Sequence, residues 1–485
     1  MQTIQPQTTP ANNPIIVPKP AARRSAARQN ANGNRGQAMS TKTAKTKEVR
    51  TPELIFAQEL KLKGNLARRD EVLYRWEESH FEPIPFFEGE RGAMVWLASR
   101  FPDRATPSTA KACFAAACLL ASKMPNTPTM QTIIPLKNAY LLLNANGTID
   151  RVDPNPAYGI TYALNVTLPA GGNTYVPQPV PTGSRLEHYL NTSLPDAEVR
   201  DYVQELMGDS LTPVIRFQRA MLLKGKGRNG KSILTRLAAA LHQNVAAMQI
   251  NNLTSFALSP LIGASLAVVD EVPKSGINEQ MLKTIISGEE ITIDRKHRDP
   301  VRYRPTAKWI ISTNNDQKTA DNSDGFWRRL SIIPFTRQIP ESEVVPCLDD
   351  LIIKNELQQF LDWCLIGLCR LNERGNLPPE PAAVRMAKQE AIEASNSVIA
   401  WVNDQEVHVA PHAEQLKEDV YKRYKDWCDD NRLRALSSGQ FWKSMLDSLS
   451  GIETPQRRIQ PSGERKRFVN LAFGHADDNE PHPFG

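Results

Sequence analysis

The chain has 485 residues, of which 40% are hydrophobic and 23% charged, and 59 Lys and Arg against 53 Asp and Glu leave a formal net charge of +6. No apolar run reaches membrane-spanning length, no apolar signal core opens the chain, and the six cysteines form no C-x-x-C pair. The composition therefore argues for a soluble protein of a reducing cytoplasm and against a membrane protein, a disulfide scaffold or a zinc module. The length can hold roughly two to four domains, and the mild positive balance permits a nucleic-acid partner without requiring one.

Residues 1–50 read as a disordered basic tail. They are rich in Pro, Ala, Asn, Gln and Thr, and Lys19, Arg23, Arg24, Arg28, Arg35, Lys42, Lys45, Lys47 and Arg50 face the single acid Glu48. The tail is either plain solvated chain or a non-specific DNA-binding arm; Met39 could even be the true start, since a polar lead-in still follows it. Residues 51–194 read as an α+β domain. Helices are predicted over 53–69 and 106–124, with a small hairpin from 74–76 and 80–82 between them. Residues 136–175 read as strand and loop, with turns at Asn146-Gly147 and Asp153-Pro154. The Pro- and Gly-rich stretch 169–184 suggests a linker.

Residues 195–345 carry the chemistry. The run Gly225-Lys226-Gly227-Arg228-Asn229-Gly230-Lys231-Ser232 is a G-x-x-x-x-G-K-S phosphate loop. Its glycines, Gly225, Gly227 and Gly230, let successive N–H groups turn toward phosphate oxygens. Lys231 can reach the β- and γ-phosphates of ATP, and the Ser232 hydroxyl can ligate Mg2+. A short apolar strand, Ala220-Met221-Leu222-Leu223, precedes the loop, and a strong helix former, 232–241, follows it. Downstream, Leu266-Ala267-Val268-Val269 is a buried-strand pattern ending in Asp270-Glu271. Asp270 would hold Mg2+, directly or through water, and Glu271 would deprotonate the attacking water. A Gly-rich turn and strand-ending acids both occur by chance; together, in this order, they argue for NTP hydrolysis.

Two alternating runs, 291–294 and 301–304, flank Arg295-Lys296-His297-Arg298-Asp299-Pro300 and predict a hairpin with a positive tip. Lys296 and His297 are either a solvated turn or a DNA-gripping pair. A strand over 308–313 ends in Asn314, whose amide could bond the lytic water or the γ-phosphate. Arg328 and Arg329 precede another apolar strand, 331–335, and suit an arginine finger; Arg329 is preferred because it directly precedes Leu330.

Residues 346–404 read as a helical extension, 405–474 as a small C-terminal domain and 475–485 as a polar, frayed end. In 414–431 the residues Leu416, Val420, Tyr424, Trp427 and Cys428 share one helical face; in 437–449 Phe441, Met445, Leu446 and Leu449 do, with Ser437 or Ser438 as N-cap. Arg457, Arg458, Arg465, Lys466 and Arg467 flank a Pro461-Ser462-Gly463 turn. Two helices and a basic hairpin suggest a winged helix whose cations meet phosphates; a charged lid that only packs on the rest is the alternative.

Residues 281–335 resemble the superfamily 3 helicases of viruses, phages and plasmids, in particular the primase-helicases of satellite phages, plasmids and poxviruses. The likeness rests on Gly-Lys-Gly-Arg-Asn-Gly-Lys-Ser with Asn229 before Gly230, on Asp270-Glu271, on the block "LKTIISGEEITIDRKHRDPVRYRPTAKWIISTNN" and on "DGFWRRLSIIPF". With 134–143 and 158–166 it extends over about residues 70–473; Asn138-Ala139, where the family often has Asn-Gly, is a minor departure. The resemblance implies an α/β fold: an AAA+-type P-loop motor with an N-terminal α+β domain and a C-terminal winged helix. It implies a homo-hexameric ring that binds ATP and Mg2+ between subunits, binds single-stranded and forked DNA and unwinds the duplex, with Lys296 and His297 in the channel and Arg328 or Arg329 acting on a neighbour. A replicative DNA helicase of a mobile element, with 3′-to-5′ polarity, in the host cytoplasm and associated with the nucleoid, is the leading expectation. A separate primase or origin-binding protein would be its partner, because no clustered carboxylates of a primase precede the motor. An ATP-regulated replication initiator and a P-loop kinase are the alternatives.

Overall fold

A computed structural model describes residues 50–272, 278–295, 298–314, 324–431, 433, 435–458 and 464–474. The basic tail up to residue 49, Lys296 and His297, the 461–463 turn and the polar end from 475 lie outside them. No described helix is long and apolar enough to cross a membrane.

The first helix, Pro52–Leu62, starts where Thr51 caps it, its hydroxyl accepting from Leu54 N. The predicted helix over 53–69 stops there, because Gly64 turns left-handed and Leu66–Arg69 is a strand. That strand pairs with Val72–Glu77 across Asp70 and Glu71, both left-handed at φ +48° and +61°. A two-residue hairpin needs this backbone and usually signals it with Asn or Gly; an Asp-Glu pair hides it. The second hairpin, Val72–Glu77 with His80–Pro83, matches expectation. The helix predicted over 106–124 ends at Leu120, and Ser122–Lys123 joins the same sheet in parallel. A second, antiparallel sheet follows, formed by Thr132–Pro135, Tyr140–Leu143, Ile149–Val152 and Thr174–Tyr175.

Five parallel strands form the central sheet: β1 (Ala220–Lys224), β2 (Val245–Ala247), β3 (Leu266–Val269), β4 (Lys308–Thr313) and β5 (Leu330–Pro334), in spatial order β2-β3-β4-β1-β5. Every residue of β3 and β4 is buried, as expected for strands covered on both faces. Alternation along the strands sorts two cores. Met221, Leu223, Leu266, Val268, Ile310 and Ile333 face helices 185–193, 197–210, 231–241 and 348–374. Leu222, Ala267, Val269, Trp309, Ile311 and Ile332 face helix 279–286 and the hairpin residues Ile291, Ile293, Val301 and Tyr303. The mixed α/β architecture with a parallel sheet is consistent with a P-loop fold.

Helices Ala197–Ser210 and Leu348–Arg374 touch through glycine. A Cβ on Gly367 would lie 2.3 Å from Gln204 O, and one on Gly208 2.6 Å from Cys364 O. Arg374 clamps buried Glu205 with two bonds, at 2.6 and 2.8 Å. Below the sheet, the buried Lys308 ammonium lies 2.7 Å from Asp209, which Arg216 also approaches at 3.4 Å. Burial lowers the Lys308 pKa, against the pull of Asp209. Burial, helped by the Lys308 charge, lowers His242 to about 3 and keeps it neutral near pH 7. Asp209→Ala would strand the Lys308 charge, and we expect it to cost about 3–5 kcal/mol. Urea unfolding followed by tryptophan fluorescence checks this; an unchanged midpoint would show that the pair is dispensable.

The last part has its own core of Val398, Trp401, Val420, Tyr424, Cys428, Phe441, Trp442 and Met445. Helix Lys417–Asp430 buries the predicted Val420, Tyr424 and Cys428, with Leu416 and Trp427 half-buried. In helix Ser438–Ser448 one expectation is corrected: Leu446 is exposed and Trp442 takes its place in the core. Five residues on from Phe441 is about 140° round the helix, beyond the apolar stripe. Ser437 is the N-cap residue but makes no side-chain cap bond; its hydroxyl donates to Gln440. Gln415–Leu416, Arg465–Val469 and Gln456–Arg458 form a three-stranded sheet.

Candidate active site

The phosphate loop joins β1 to helix Lys231–Leu241. Its curl needs left-handed backbone at Gly227 (φ +60°), Arg228 (+48°) and Gly230 (+86°). Gly225 needs the absence of a side chain, since a Cβ there would lie 2.2 Å from Asn229 Nδ2 and 2.4 Å from Phe335 O. The loop is braced from outside. Asn229 Nδ2 donates to Phe335 O (3.0 Å), Ile339 N to Arg228 O (2.8 Å) and Tyr189 OH to Gly230 O (3.0 Å). The buried Lys231 ammonium donates to Gly225 O (2.6 Å) and Asn229 Oδ1 (3.1 Å), and desolvation lowers its pKa. Ser232 is exposed at the helix start.

Because the strands are parallel, their C-terminal ends share one edge of the sheet. Asp270 and Glu271 leave β3 there, exposed, and Asn314 leaves β4 there, exposed. β4 lies between β3 and β1, and Gly225 N donates to Thr313 O at 3.2 Å. The edge therefore gathers a phosphate cradle, a cation, a hydroxyl, two carboxylates and an amide. Mg2+ takes one or two protein oxygens plus phosphate oxygens and water, so Ser232 and Asp270 are a fitting donor pair.

Gly230 offers a sharp test. A Cβ there would lie 2.1 Å from the buried Ser193 Oγ, and left-handed backbone costs an L-residue about 1–2 kcal/mol. We expect Gly230→Ala to weaken ATP binding by about tenfold or more. Adding Ser193→Gly should recover part of the loss in a fluorescent-nucleotide titration. Full affinity in Gly230→Ala would mean that the loop relaxes freely.

Arg328 and Arg329 are not brought to this edge. They precede β5, whose register runs from Leu330 opposite Ala220 to Pro334 opposite Lys224. Four residue steps of about 3.3 Å put them some ~13 Å from the loop end of the sheet. Arg328 is exposed, whereas Arg329 Nη1 donates to Gly325 O at 2.6 Å and Nε to Ser287 Oγ at 2.8 Å. Arg329 is therefore engaged within its own chain. The predicted hairpin is present, Ile291–Arg295 paired with Arg298–Tyr303, while Lys296 and His297 lie outside the described residues. Arg457 and Arg458 pair in register with Lys466 and Arg465; Arg457 is held by Glu414 at 2.5 Å and Lys466 by Glu418 at 3.7 Å. Arg458, Arg465 and Arg467 are exposed. Sequence reasoning missed Tyr189, Ser193, Phe335 and Ile339, which support the loop from distant segments and carry no motif.

A family described as of unknown function (DUF5906) matches residues 223–329. Over 166 residues the chain is 30% identical to "Putative helicase L207/L206" of Acanthamoeba polyphaga mimivirus, covering 32% of this chain and 17% of that protein. It is 24% identical over 173 residues to Replication protein E1 of cottontail rabbit papillomavirus (strain Kansas), covering 35% of this chain and 28% of that one. The segment that carries the phosphate loop is thus similar in sequence to viral helicase and replication proteins. Replication protein E1 of human papillomavirus type 41 matches too, 31% identical over 93 residues, 19% of this chain and 15% of that protein. The chain thus spans less than a third of the length of these curated relatives. Among solved structures, "The A form apo structure of NrS-1 C terminal region-CTR" aligns over 87% of this chain and 100% of that one, at 14% identity and a TM-score of 0.47.

Proposed function

We propose that this protein is an ATP-dependent replicative DNA helicase of a mobile element, working as a ring-shaped homo-hexamer with 3′-to-5′ polarity. One observation carries the reading: the phosphate loop, Asp270, Glu271 and Asn314 share one edge of the sheet, while exposed Arg328 stands at the other. Such a layout suits an arginine that serves the site of a neighbouring copy, as a ring would allow. ATP and Mg2+ bind at Gly225, Gly227, Asn229, Gly230, Lys231, Ser232 and Asp270. Glu271 takes the proton of the attacking water, Asn314 orients that water, and an arginine of the next subunit stabilises the transition state. Lys296 and His297 grip backbone phosphates in the channel.

The proposed division is 51–194 as a pre-motor domain, 195–345 as the motor, 346–404 as a helical extension and 405–474 as a winged helix. The exposed Arg458, Arg465 and Arg467 support DNA contact by that last unit. The basic tail, 1–50, adds non-specific affinity. The protein works in the host cytoplasm beside a separate primase or origin-binding protein. Forked-duplex unwinding, with mass by light scattering, tests the reading. Strand separation by a hexamer supports it. ATP hydrolysis without unwinding points to an initiator, and a stable monomer that phosphorylates a small molecule points to a kinase.

A further inference from the structure

Arg329 sits where three segments meet. Its guanidinium donates to Ser287 Oγ (2.8 Å), to Gly325 O (2.6 Å) and, at 3.5 Å, to Gln218 Oε1; Ser287 Oγ in turn donates to Gln218 at 3.4 Å. Its carbonyl accepts from Ala220 N, the first residue of β1, at 2.8 Å. Ser287 ends helix Glu279–Ile286, and the hairpin strand starts at Ile291. Between them Gly288 is left-handed (φ +67°), and a Cβ on it would lie 2.8 Å from Ile215 Cδ1 and 3.2 Å from Pro305 O, so both ends of the hairpin are packed at this junction. Gln218 itself is held at φ +26°. A non-glycine residue in that region persists only when its surroundings hold it.

On the helicase reading above, we infer that Arg329 is a positioning residue, a strut inside its own chain that ties the base of the hairpin to the segment carrying Arg328. Arg328 and Arg329 then have separate tasks although they are adjacent. Arg328 is exposed and lines a surface cleft with Gln218, Leu377 and the half-buried Arg329. Arg329 turns inward and locks the lead-in of β5, the lead-in of β1 and Ser287 into one unit. Movement of Arg328 on a neighbour's nucleotide is thereby passed to the hairpin. A guanidinium suits the task because its planar fork serves several acceptors at once, which an ammonium cannot match at the same geometry.

The test measures the ATPase rate of the full chain with and without single-stranded DNA, for wild type, Ser287→Ala, Arg329→Lys, the double variant and Arg328→Ala. Ser287→Ala should keep the basal rate and lose DNA stimulation. Arg329→Lys should lose stimulation as well, and the double variant should lose no more than the worse single, since both remove one contact. Arg328→Ala should instead lower the basal rate. A merely structural role would lower thermal stability and leave the stimulation ratio intact. Full stimulation in Ser287→Ala overturns the inference. So does a basal rate in Arg329→Lys as low as that of Arg328→Ala beside a normal Ser287→Ala, which would make Arg329 the finger. A wild-type chain that hydrolyses no ATP sinks the helicase reading itself and is seen before any variant is compared.

Discussion

Glu271→Gln abolishes steady-state ATP hydrolysis while ATP still binds. The expected loss is about 10²–10⁴-fold, the range for removing a positioned general base. The side chain leaves the end of β3 next to Asp270, with β4 and then the phosphate loop of β1 beside it. An amide of the same shape keeps the geometry but cannot take a proton from water. Lys231→Ala fails differently. Its ammonium bridges Gly225 O and Asn229 Oδ1, and without it the loop loses both an internal tie and its phosphate contact, so binding falls with turnover. Phosphate release and fluorescent-nucleotide titration separate the two variants. Wild-type turnover in Glu271→Gln would remove that residue from the mechanism.

Arg328→Ala lowers the ATPase rate by about three orders of magnitude, as expected for a finger supplied in trans. Mixed with Lys231→Ala, it regains activity. In a mixed ring some interfaces join an intact phosphate loop from one subunit to an intact Arg328 from the next. The reason lies in the parallel sheet: β5 starts where β1 starts, and the phosphate loop begins where β1 ends. Titrating one variant into the other and following phosphate release gives the answer. Assembled mixed rings with no recovery at any ratio would show that Arg328 acts within its own chain.

The sequence by itself determined the phosphate loop, the strand ending in Asp270-Glu271, the hairpin over 291–303 and the strand before Asn314. These are local statements. Glycines that must turn left-handed, continuous apolar runs and alternating strands are all written within about ten residues. The α/β class was legible through the phosphate loop and the resemblance its motifs carry, whereas the parallel pairing of the strands came only with the fold. The first helix was over-extended because the Asp70-Glu71 turn takes a left-handed backbone that its residue types do not announce. Leu446 was misassigned because a single apolar residue just off the stripe looks like one on it. The tertiary structure alone decided which strands are neighbours, and therefore that Asn314 stands between the loop and the acids. It alone supplied Phe335 and Tyr189 as braces of the loop, and it alone divided the arginine pair. The partners that distinguish Arg329 from Arg328 include Ser287, 42 residues away, and the partner that holds the Lys308 ammonium is Asp209, 99 residues away. A hydrogen bond between segments so far apart has no period and no spacing in the sequence, because it depends on where folding brings two backbones together rather than on what either segment prefers alone.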